Sequence, residues 1–206
     1  GEYPELQGVM GKYFALAQGF EEDVANSVSD HYLPTGLTSV LPKKPFSYSI
    51  SIVDKIDTLV GFFIIDEKPT SSKDPFALRR AAIGLLRIII ENKLSFKLRD
   101  LISYAIRLYQ EQGVEIKNEK AEQQVLEFIK ERMRNVLKLK NIKTDVIEAS
   151  ISSHAGDNFL ALYAKTLLMN KYKNKDIGIN AISSYKRASN ILDKAGKGIT
   201  GRPDAV

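Results

Sequence analysis

A run of lysines around one aromatic residue, late in the chain, has the composition of a polyanion-binding site. The run Lys171–Lys175 alternates lysine with tyrosine and asparagine, and Tyr185–Arg187 repeats the same chemistry further along. Ammonium groups can contact phosphates while a tyrosine ring stacks on an unpaired base. A solvated basic loop and helix face is the alternative interpretation. The candidate RNA-binding residues of this region are Lys171, Tyr172, Lys173, Lys175, Lys186 and Arg187.

The charge of the chain is unevenly distributed. Residues 1–60 contain four Lys and eight Asp or Glu, a net charge of −4, whereas the whole chain has a net charge of +5. From position 165 to the end, nine Lys and Arg stand against three Asp, a net charge of +6. This asymmetry favours a polyanionic partner for the later part of the chain, although a solvated basic surface gives the same pattern.

A second basic group lies on a strongly apolar stretch. Arg80 and Arg87 fall within about 20° of each other on a helix that turns about 100° per residue. Gly84 lies between them and leaves room for a bulky partner. The two guanidinium groups could clamp a phosphate. Because the helix is so apolar, we favour the alternative that these arginines and the adjacent Arg79 pair internally with Asp54, Asp57 or Asp74.

The start of this apolar helix is clearly marked. Asp74 is a good N-cap, and Pro75 follows at the first helical position, where its missing N–H costs nothing. We therefore predict a buried central helix over Phe76–Glu91. Lys73 precedes the cap in a loop and could reach RNA, and the helix N-terminus could also attract a phosphate.

The sequence contains no recognisable catalytic constellation, so we predict no catalytic residue. There is no Cys to form a disulfide, a thiolate metal site or a nucleophile. Glycine-rich phosphate loops and the nucleophile elbow of hydrolases are also missing from the sequence. The serines near His154 have no other base at suitable spacing, and we interpret them as helix-end residues.

Length and hydropathy bound the class of protein. The chain has 206 residues and 44% hydrophobic residues, enough for one or two domains with a real core. No apolar run reaches the roughly 18–20 residues that a membrane span needs, and the N-terminus lacks an apolar signal region. We expect no membrane partner and a cytoplasmic location. Because the chain begins with Gly rather than Met, we also expect a piece of a longer protein.

Helical periodicity dominates, and no stretch alternates with a period of two, so the predicted fold class is all-α, a multi-helix bundle. On the first helix, we expect one side to point inward, the side that carries Leu6, Met10, Tyr13 and Ala17. Ile50, Val53, Ile56, Val60 and Phe63 are expected to face inward on a long helix. The predicted helices are Leu6–Gln18, Glu21–Tyr32, Phe46–Ile65, Phe76–Glu91, Lys97–Gln112, Glu119–Lys138, Asp145–Ser152, Asp157–Asn170 and Ile177–Ala195. Gly113 is a plausible helix C′ residue.

Five segments, in order along the chain, resemble the β subunit of bacterial glycyl-tRNA synthetase. The run Ser72–Ala82, with the letters SKDPFALRRAA, is similar almost letter for letter. The run Val53–Gly61 resembles that family's ADKLDTLVG segment. The other three resembling segments are Glu5–Ala15, His31–Pro34 and Tyr185–Leu192.

The resemblance implies both a fold and a function. Residues 1–92 would be part of a helical domain similar to HD-type phosphohydrolases. Residues 93–195 would be a helical linker and tRNA-binding region, and residues 196–206 a linker toward an anticodon-binding part. It implies an α2β2 enzyme in which the α subunit holds the aminoacylation site, with ATP and Mg required by the whole enzyme and no cofactor in this part. The implied partners are tRNA-Gly and the α subunit.

An HD-type metal site would need a His, a His-Asp pair and a later Asp around a divalent ion. Asp54 looks like the later Asp, but the sequence has no His-Asp dipeptide, and Asp30-His31 has the reverse order. We therefore predict no metal and regard Asp54 as a vestigial candidate. The leading hypothesis is the tRNA-binding region of a glycine–tRNA ligase. The alternatives are an HD-type metal-dependent phosphohydrolase and a purely structural helical module for subunit assembly.

Overall fold

A computed structural model describes Tyr3 and residues 6–70, 73–153 and 156–195 of the chain. Its described part contains α-helices and no strand, which confirms the all-α prediction. The predicted tail from residue 196, the serines at 71 and 72, and His154 lie outside the described residues. The helices are α1 Val9–Ala17, α2 Glu22–Asp30, α3 Pro45–Ile64, α4 Leu78–Glu91, α5 Leu98–Glu111, α6 Ala121–Lys138, α7 Thr144–Ser152, α8 Phe159–Tyr172 and α9 Asp176–Ala195.

Helix α4 is the centre of the core, as its composition predicted. It packs against α3, α6 and α8. Full burial of each large aliphatic side chain contributes about 1.5–3 kcal/mol to the free energy of unfolding. The buried side chains of α4 are Leu78, Ala82, Leu85, Leu86, Ile88, Ile89 and Ile90.

Helices α3 and α6 supply the other walls of this core. The predicted inward residues Ile56, Val60 and Phe63 are buried on α3, and the α6 stripe that includes Ile129 and Met133 is buried too. The core cluster continues from Ile52 to Leu162, across the expected boundary between residues 92 and 93. That division stays a prediction.

The prediction that Ile50 and Val53 face inward is wrong. Ile50 is 40% exposed and Val53 is 62% exposed. The inward stripe of α3 follows Ile52, Ile56 and Leu59, with spacings of four and three residues. Ile50 therefore falls on the opposite side of the helix and Val53 on its flank.

The predicted start of α4 is correct in its chemistry but wrong in its position. The helix begins at Leu78, after Ala77 adopts a left-handed conformation with φ 55°. Asp74 still caps the first turn, because its two carboxylate oxygens accept the N–H groups of Leu78 at 2.8 Å and Arg79 at 3.0 Å. Those two N–H groups therefore already bind a carboxylate. Its negative charge disfavours binding of a phosphate at this helix end.

The predicted inward face of the first helix is also wrong. Met10 is 40% exposed and Tyr13 is 62% exposed, whereas Ala15 is buried. Helix α1 packs mainly against α2. The approach is close at Gly11, where a Cβ would lie 2.7 Å from Val28 Cγ1. The small residues of α1 therefore face its neighbour, and Leu6, Met10, Tyr13 and Ala17 are exposed.

Helix α9 ends the described part, and its large side chains remain exposed. Ile177, Tyr185 and Ile191 are 69%, 74% and 67% exposed.

At the end of α5, Gly113 has φ 78° and follows the C-cap, which confirms it as the C′ residue. Within the residues that the structure describes, no helix is both long and apolar enough to span a bilayer.

Candidate nucleic-acid interface

The basic run at the end of α8 surrounds the ring of Tyr172. The Nζ atoms of Lys171 and Lys175 lie 5.6 Å and 5.2 Å from the centre of that ring. All three side chains are exposed. Cations over an aromatic face interact weakly when solvated, so both ammonium groups stay available to an anionic ligand. The structure thus brings Lys171, Tyr172 and Lys175 together as one exposed group.

Lys173, in the same run, has a different role. Its ammonium group forms an ion pair with Asp145 in the first turn of α7. This hydrogen bond is the main reason that the pKa of Asp145 is lowered from its ordinary value. The Lys173 side chain is 26% exposed. We therefore regard Lys173 as a contact that ties the end of α8 to α7, with its charge already compensated.

Helix α9 starts directly beside Tyr172. A Cβ at Gly178 would lie 2.9 Å from the carbonyl carbon of Tyr172, so only glycine permits this close approach. A groove of about 400 Å³ lies between α7, α8 and α9. Met169 and Ile182 are among its apolar lining residues, and Tyr172 and Lys173 also line it. The run at 171–175 and the first turn of α9 therefore form one surface.

The second basic pair, Lys186 and Arg187, is exposed on α9. Arg187 Nε donates to the carbonyl of Ser183 at 3.4 Å, within the same helix. In the described part of the chain the Lys186 side chain has no hydrogen bond or ion pair. At about 1.5 Å of rise per residue, Lys186 lies roughly 16 Å along the helix from Lys175. The two basic groups therefore occupy separate positions along one helical arm.

The cations of α6 and the following loop are mostly paired with carboxylates. Arg134 binds Glu148 through two hydrogen bonds of 2.8 Å and 2.9 Å, and this pairing raises its pKa. Lys140 lies 3.3 Å from Glu91. These two cations therefore add little uncompensated charge to the basic surface of α8 and α9.

The structure shows the positions of Arg87 and Lys73, two of the predicted RNA-binding residues. Arg87 donates to the carbonyl oxygens of Gly36 at 2.7 Å and Ser39 at 2.9 Å. Its guanidinium group therefore holds the loop before α3 onto α4. Lys73, in contrast, is exposed in its loop. Its backbone bonds to Thr70, but its side chain has no partner among the described residues.

Neighbouring arginines at the start of α4 differ sharply. Arg79 donates to the carbonyl of Thr70 and lies 3.8 Å from Asp74. Pairing with a carboxylate, the interpretation favoured from the sequence, therefore applies to Arg79. It is wrong for Arg87, which binds backbone carbonyls instead. Arg80 is exposed, and within the described ranges its side chain has neither a hydrogen bond nor an ion pair.

Gly84 does permit a close approach, and the approaching group belongs to the same chain. A Cβ at position 84 would lie 2.9 Å from Cε of Lys55 and 3.3 Å from the ring of Pro34. Helix α3 and the loop after α2 therefore pack against α4 at Gly84. This position lies between Arg80 and Arg87 in the sequence.

Lys55 is the residue that sequence reasoning missed. It is only 5% exposed, and its Nζ donates to the carbonyl of His31 at 2.9 Å and to Ser51 Oγ at 2.8 Å. Burial lowers the pKa of Lys55 to about 8, and the nearby charge of Asp54 opposes that change. The sequence did contain an indication of this burial, because Lys55 follows Ser51 by four residues on the inward side of α3.

Asp54, the vestigial metal candidate, lies at the surface beside this lysine. It borders a cavity together with His31 and Asp57. Across the described residues, no group of three or more His, Asp and Glu side chains could hold a metal ion. The Mg²⁺ implied by the resemblance therefore does not fit this part of the chain.

Comparisons with known proteins agree on one family. The family model described as "Glycyl-tRNA synthetase beta subunit" matches residues 1–152. A protein of Rickettsia canadensis named glycine–tRNA ligase beta subunit is 41% identical over 192 residues, which is 93% of this chain and 28% of the relative. A protein of the same name from Ruegeria is 38% identical over 194 residues, 94% of this chain and 27% of the relative. The chain thus spans little more than a quarter of these curated relatives.

Proposed function

This chain belongs to the family of glycyl-tRNA synthetase β subunits, and on that basis we propose that it is a tRNA-binding region of a glycine–tRNA ligase. Its role would be to hold tRNA-Gly while ATP-dependent attachment of glycine takes place on a separate α subunit. The partners would be tRNA-Gly and that α subunit in an α2β2 enzyme of the cytoplasm. ATP and Mg²⁺ would act at the α subunit.

One observation supports tRNA binding by this chain more than any other. Lys171 and Lys175 are exposed close to an exposed aromatic ring. Both ammonium groups can contact phosphates, while Tyr172 offers its ring to an unpaired base. Lys186 and Arg187 extend the same charge along α9.

The bundle around α4 has a complementary role in this proposal. Its buried core extends into α8 through Phe159 and Leu162, so the bundle would be a scaffold for the helix from which the basic arm, residues 171–187, begins. Electrostatic binding of this kind depends on the number of phosphates neutralised and weakens with salt. It supplies affinity and orientation, and it needs no reacting group on this chain.

The test is filter binding of tRNA-Gly to the chain and to a fourfold variant. The variant is Lys171→Gln, Lys175→Gln, Lys186→Gln and Arg187→Gln, which leaves the Lys173–Asp145 ion pair intact. A matched control removes four exposed cations elsewhere, by Lys43→Gln, Lys97→Gln, Arg107→Gln and Lys120→Gln.

We expect the fourfold variant to lose at least tenfold in affinity and the control variant to lose much less. Equal losses in both variants would show that net charge alone matters. Unchanged affinity in the fourfold variant would instead favour the purely structural assembly module. Either of these results would contradict the proposal.

A further inference from the structure

We propose that the cavity between α3, α4 and the end of α2 is a nucleotide site, in which Lys55 and Arg80 hold a phosphate group and the rings of Tyr32 and Phe76 border the base. This site is separate from the basic arm at residues 171–187. Nucleotide binding at this site can therefore be tested independently of tRNA binding by that arm.

The cavity has the size and lining of a small-ligand site. Its volume is about 300 Å³, at the lower end of the range for ligand pockets, which is about 300–1,000 Å³. Four chain segments contribute to it, since Gln7 precedes α1, Tyr32 follows α2, Lys55 lies on α3 and Arg80 lies on α4. The lining residues relevant to binding are Gln7, Tyr32, Asp54, Lys55, Phe76 and Arg80.

Lys55 is a buried cation with unused donor capacity. An ammonium group has three N–H donors, and Lys55 uses two of them, on the His31 carbonyl and Ser51 Oγ. No third acceptor occurs in the part of the chain that the structure describes. A buried charge without a full set of partners is costly to maintain. An anion in the adjoining cavity would complete its environment.

Arg80 supplies the second cation from another wall of the cavity. It is exposed, and its guanidinium group has no acceptor within the described ranges, although Asp74 is close by in sequence. Arg79, directly before it, is already bound to Thr70 and Asp74. A guanidinium group offers two parallel N–H donors that match the oxygens of a phosphate.

Asp54 limits the charge that the site can accept. Its carboxylate lines the same cavity and is exposed with no ion pair in the described chain. Lys55 and Arg80 against Asp54 leave one net positive charge. The site is therefore suited to a phosphate attached to a larger group rather than to a highly charged free polyphosphate.

The aromatic rings at the rim indicate what that larger group is. Tyr32 is 38% exposed and Phe76 is 43% exposed, and both line the cavity. One face of the Phe76 ring is stacked on Phe62, which leaves its other face for a base. Stacking on such rings stabilises a nucleobase by roughly 1–3 kcal/mol per base in RNA-binding proteins, which is a factor of about 5 to 150 in affinity. A free mononucleotide and a nucleotide within an RNA strand share this chemistry.

Calorimetric titration of the whole chain would test the proposal, with AMP, adenosine, inorganic phosphate and the dinucleotide ApA as probes. We expect AMP to bind more tightly than either adenosine or inorganic phosphate, because each of those lacks one half of the ligand. Tighter binding of ApA than of AMP would identify an RNA strand as the source. The reverse order would identify a free mononucleotide.

Variants make the assignment specific. Arg80→Gln should weaken AMP binding at least tenfold, and Asp54→Asn should strengthen it severalfold, since it removes the opposing charge. Arg107→Gln, on α5 and away from the cavity, is the matched control and should leave the affinity unchanged. Lys55→Met should abolish binding in a chain whose circular dichroism and unfolding transition remain cooperative.

Two results would overturn the proposal. One is the failure of AMP and ApA to bind at millimolar concentration. The other is binding that Arg80→Gln and Arg107→Gln reduce equally, which would mean diffuse attraction to a basic surface. Because Arg80→Gln and Asp54→Asn change exposed side chains, neither result depends on whether the Lys55 variant folds.

Discussion

Lys55 on α3 packs directly against Gly84 on α4, so closely that a Cβ at position 84 would lie 2.9 Å from the Lys55 Cε. The ring of Pro34 closes the other side at 3.3 Å. One glycine therefore allows a buried lysine to lie between two helices and to reach the His31 carbonyl. This arrangement positions the cavity lined by Lys55 and Arg80.

The first prediction concerns this close approach. Gly84→Val should lower the free energy of unfolding by about 1–3 kcal/mol, because added methyl groups in a well-packed interior force neighbours to move. Urea denaturation followed by circular dichroism measures the change. Ala161→Val, at an exposed position on α8, is the control for the helical cost of valine and should change stability by less than about 1 kcal/mol. Equal effects at both positions would contradict the packing described here.

The second prediction follows from the pKa of Lys55, which burial lowers from 10.5 to about 8. Between these values the unfolded chain keeps the proton on Lys55 while the folded chain releases it. The Lys55 contribution to stability should therefore rise with pH, by at most about 1.4 kcal/mol per pH unit. The difference in unfolding free energy between the natural chain and Lys55→Met, measured from pH 7.5 to 9.5, isolates this contribution.

That pH range also avoids a second group. The pKa of Tyr109 is raised to about 12, mainly by burial and then by its hydrogen bond with Asp57. Its effect on stability has the opposite sign and starts only above the ordinary tyrosine pKa of about 10. A difference between the two proteins that stays constant with pH would show that burial does not lower the pKa of Lys55.

A third prediction addresses the loop before α3. Arg87→Met should destabilise the chain by about 2–3 kcal/mol, because two carbonyl groups lose charged hydrogen bonds. Hydrogen exchange should also become faster for the amide groups of residues 35–41. Arg80→Met, on the same helix but unpaired in the described structure, should change stability by less than about 0.5 kcal/mol. Similar losses in the two variants would be inconsistent with the hydrogen bonds of Arg87.

The fourth prediction concerns the cap of α4. Asp74→Ala should cost about 1–2 kcal/mol of stability, since the N–H groups of Leu78 and Arg79 lose their acceptor. Asp74→Asn keeps an acceptor oxygen and should recover a large part of that loss. Thermal unfolding of the two variants gives the comparison. An asparagine variant as unstable as the alanine variant would mean that the charge, not the cap, is what matters.

Burial and capping chemistry could be predicted where one helix dominates its surroundings. The apolar composition of α4 was enough, because almost any rotation of such a helix buries it. The faces of α1 and α3 were not predictable in the same way. Each has apolar residues on more than one side, and only packing against α2 and α4 decides whether Ile50 or Ile52 is buried.

The same distinction decides which basic residues could be predicted from the sequence. The sequence indicated Lys171, Tyr172 and Lys175 as a group, because neighbours on a short segment stay neighbours in the fold. It could not separate Lys173, since the pairing with Asp145 joins residues of two different helices. Lys55 was missed because a lysine is expected at the surface, and its neighbours His31 and Gly84 are distant in sequence.

The dependence of tRNA-Gly binding on salt tests the central claim most directly. If the basic arm neutralises phosphates, the logarithm of the association constant should fall linearly with the logarithm of salt concentration. Replacing Lys171, Lys175, Lys186 and Arg187 by Gln should make that slope shallower by about 3, because each neutralised phosphate contributes roughly 0.7–0.9 to it. The same slope for the natural and fourfold variant chains, or binding that does not respond to salt, would contradict the account.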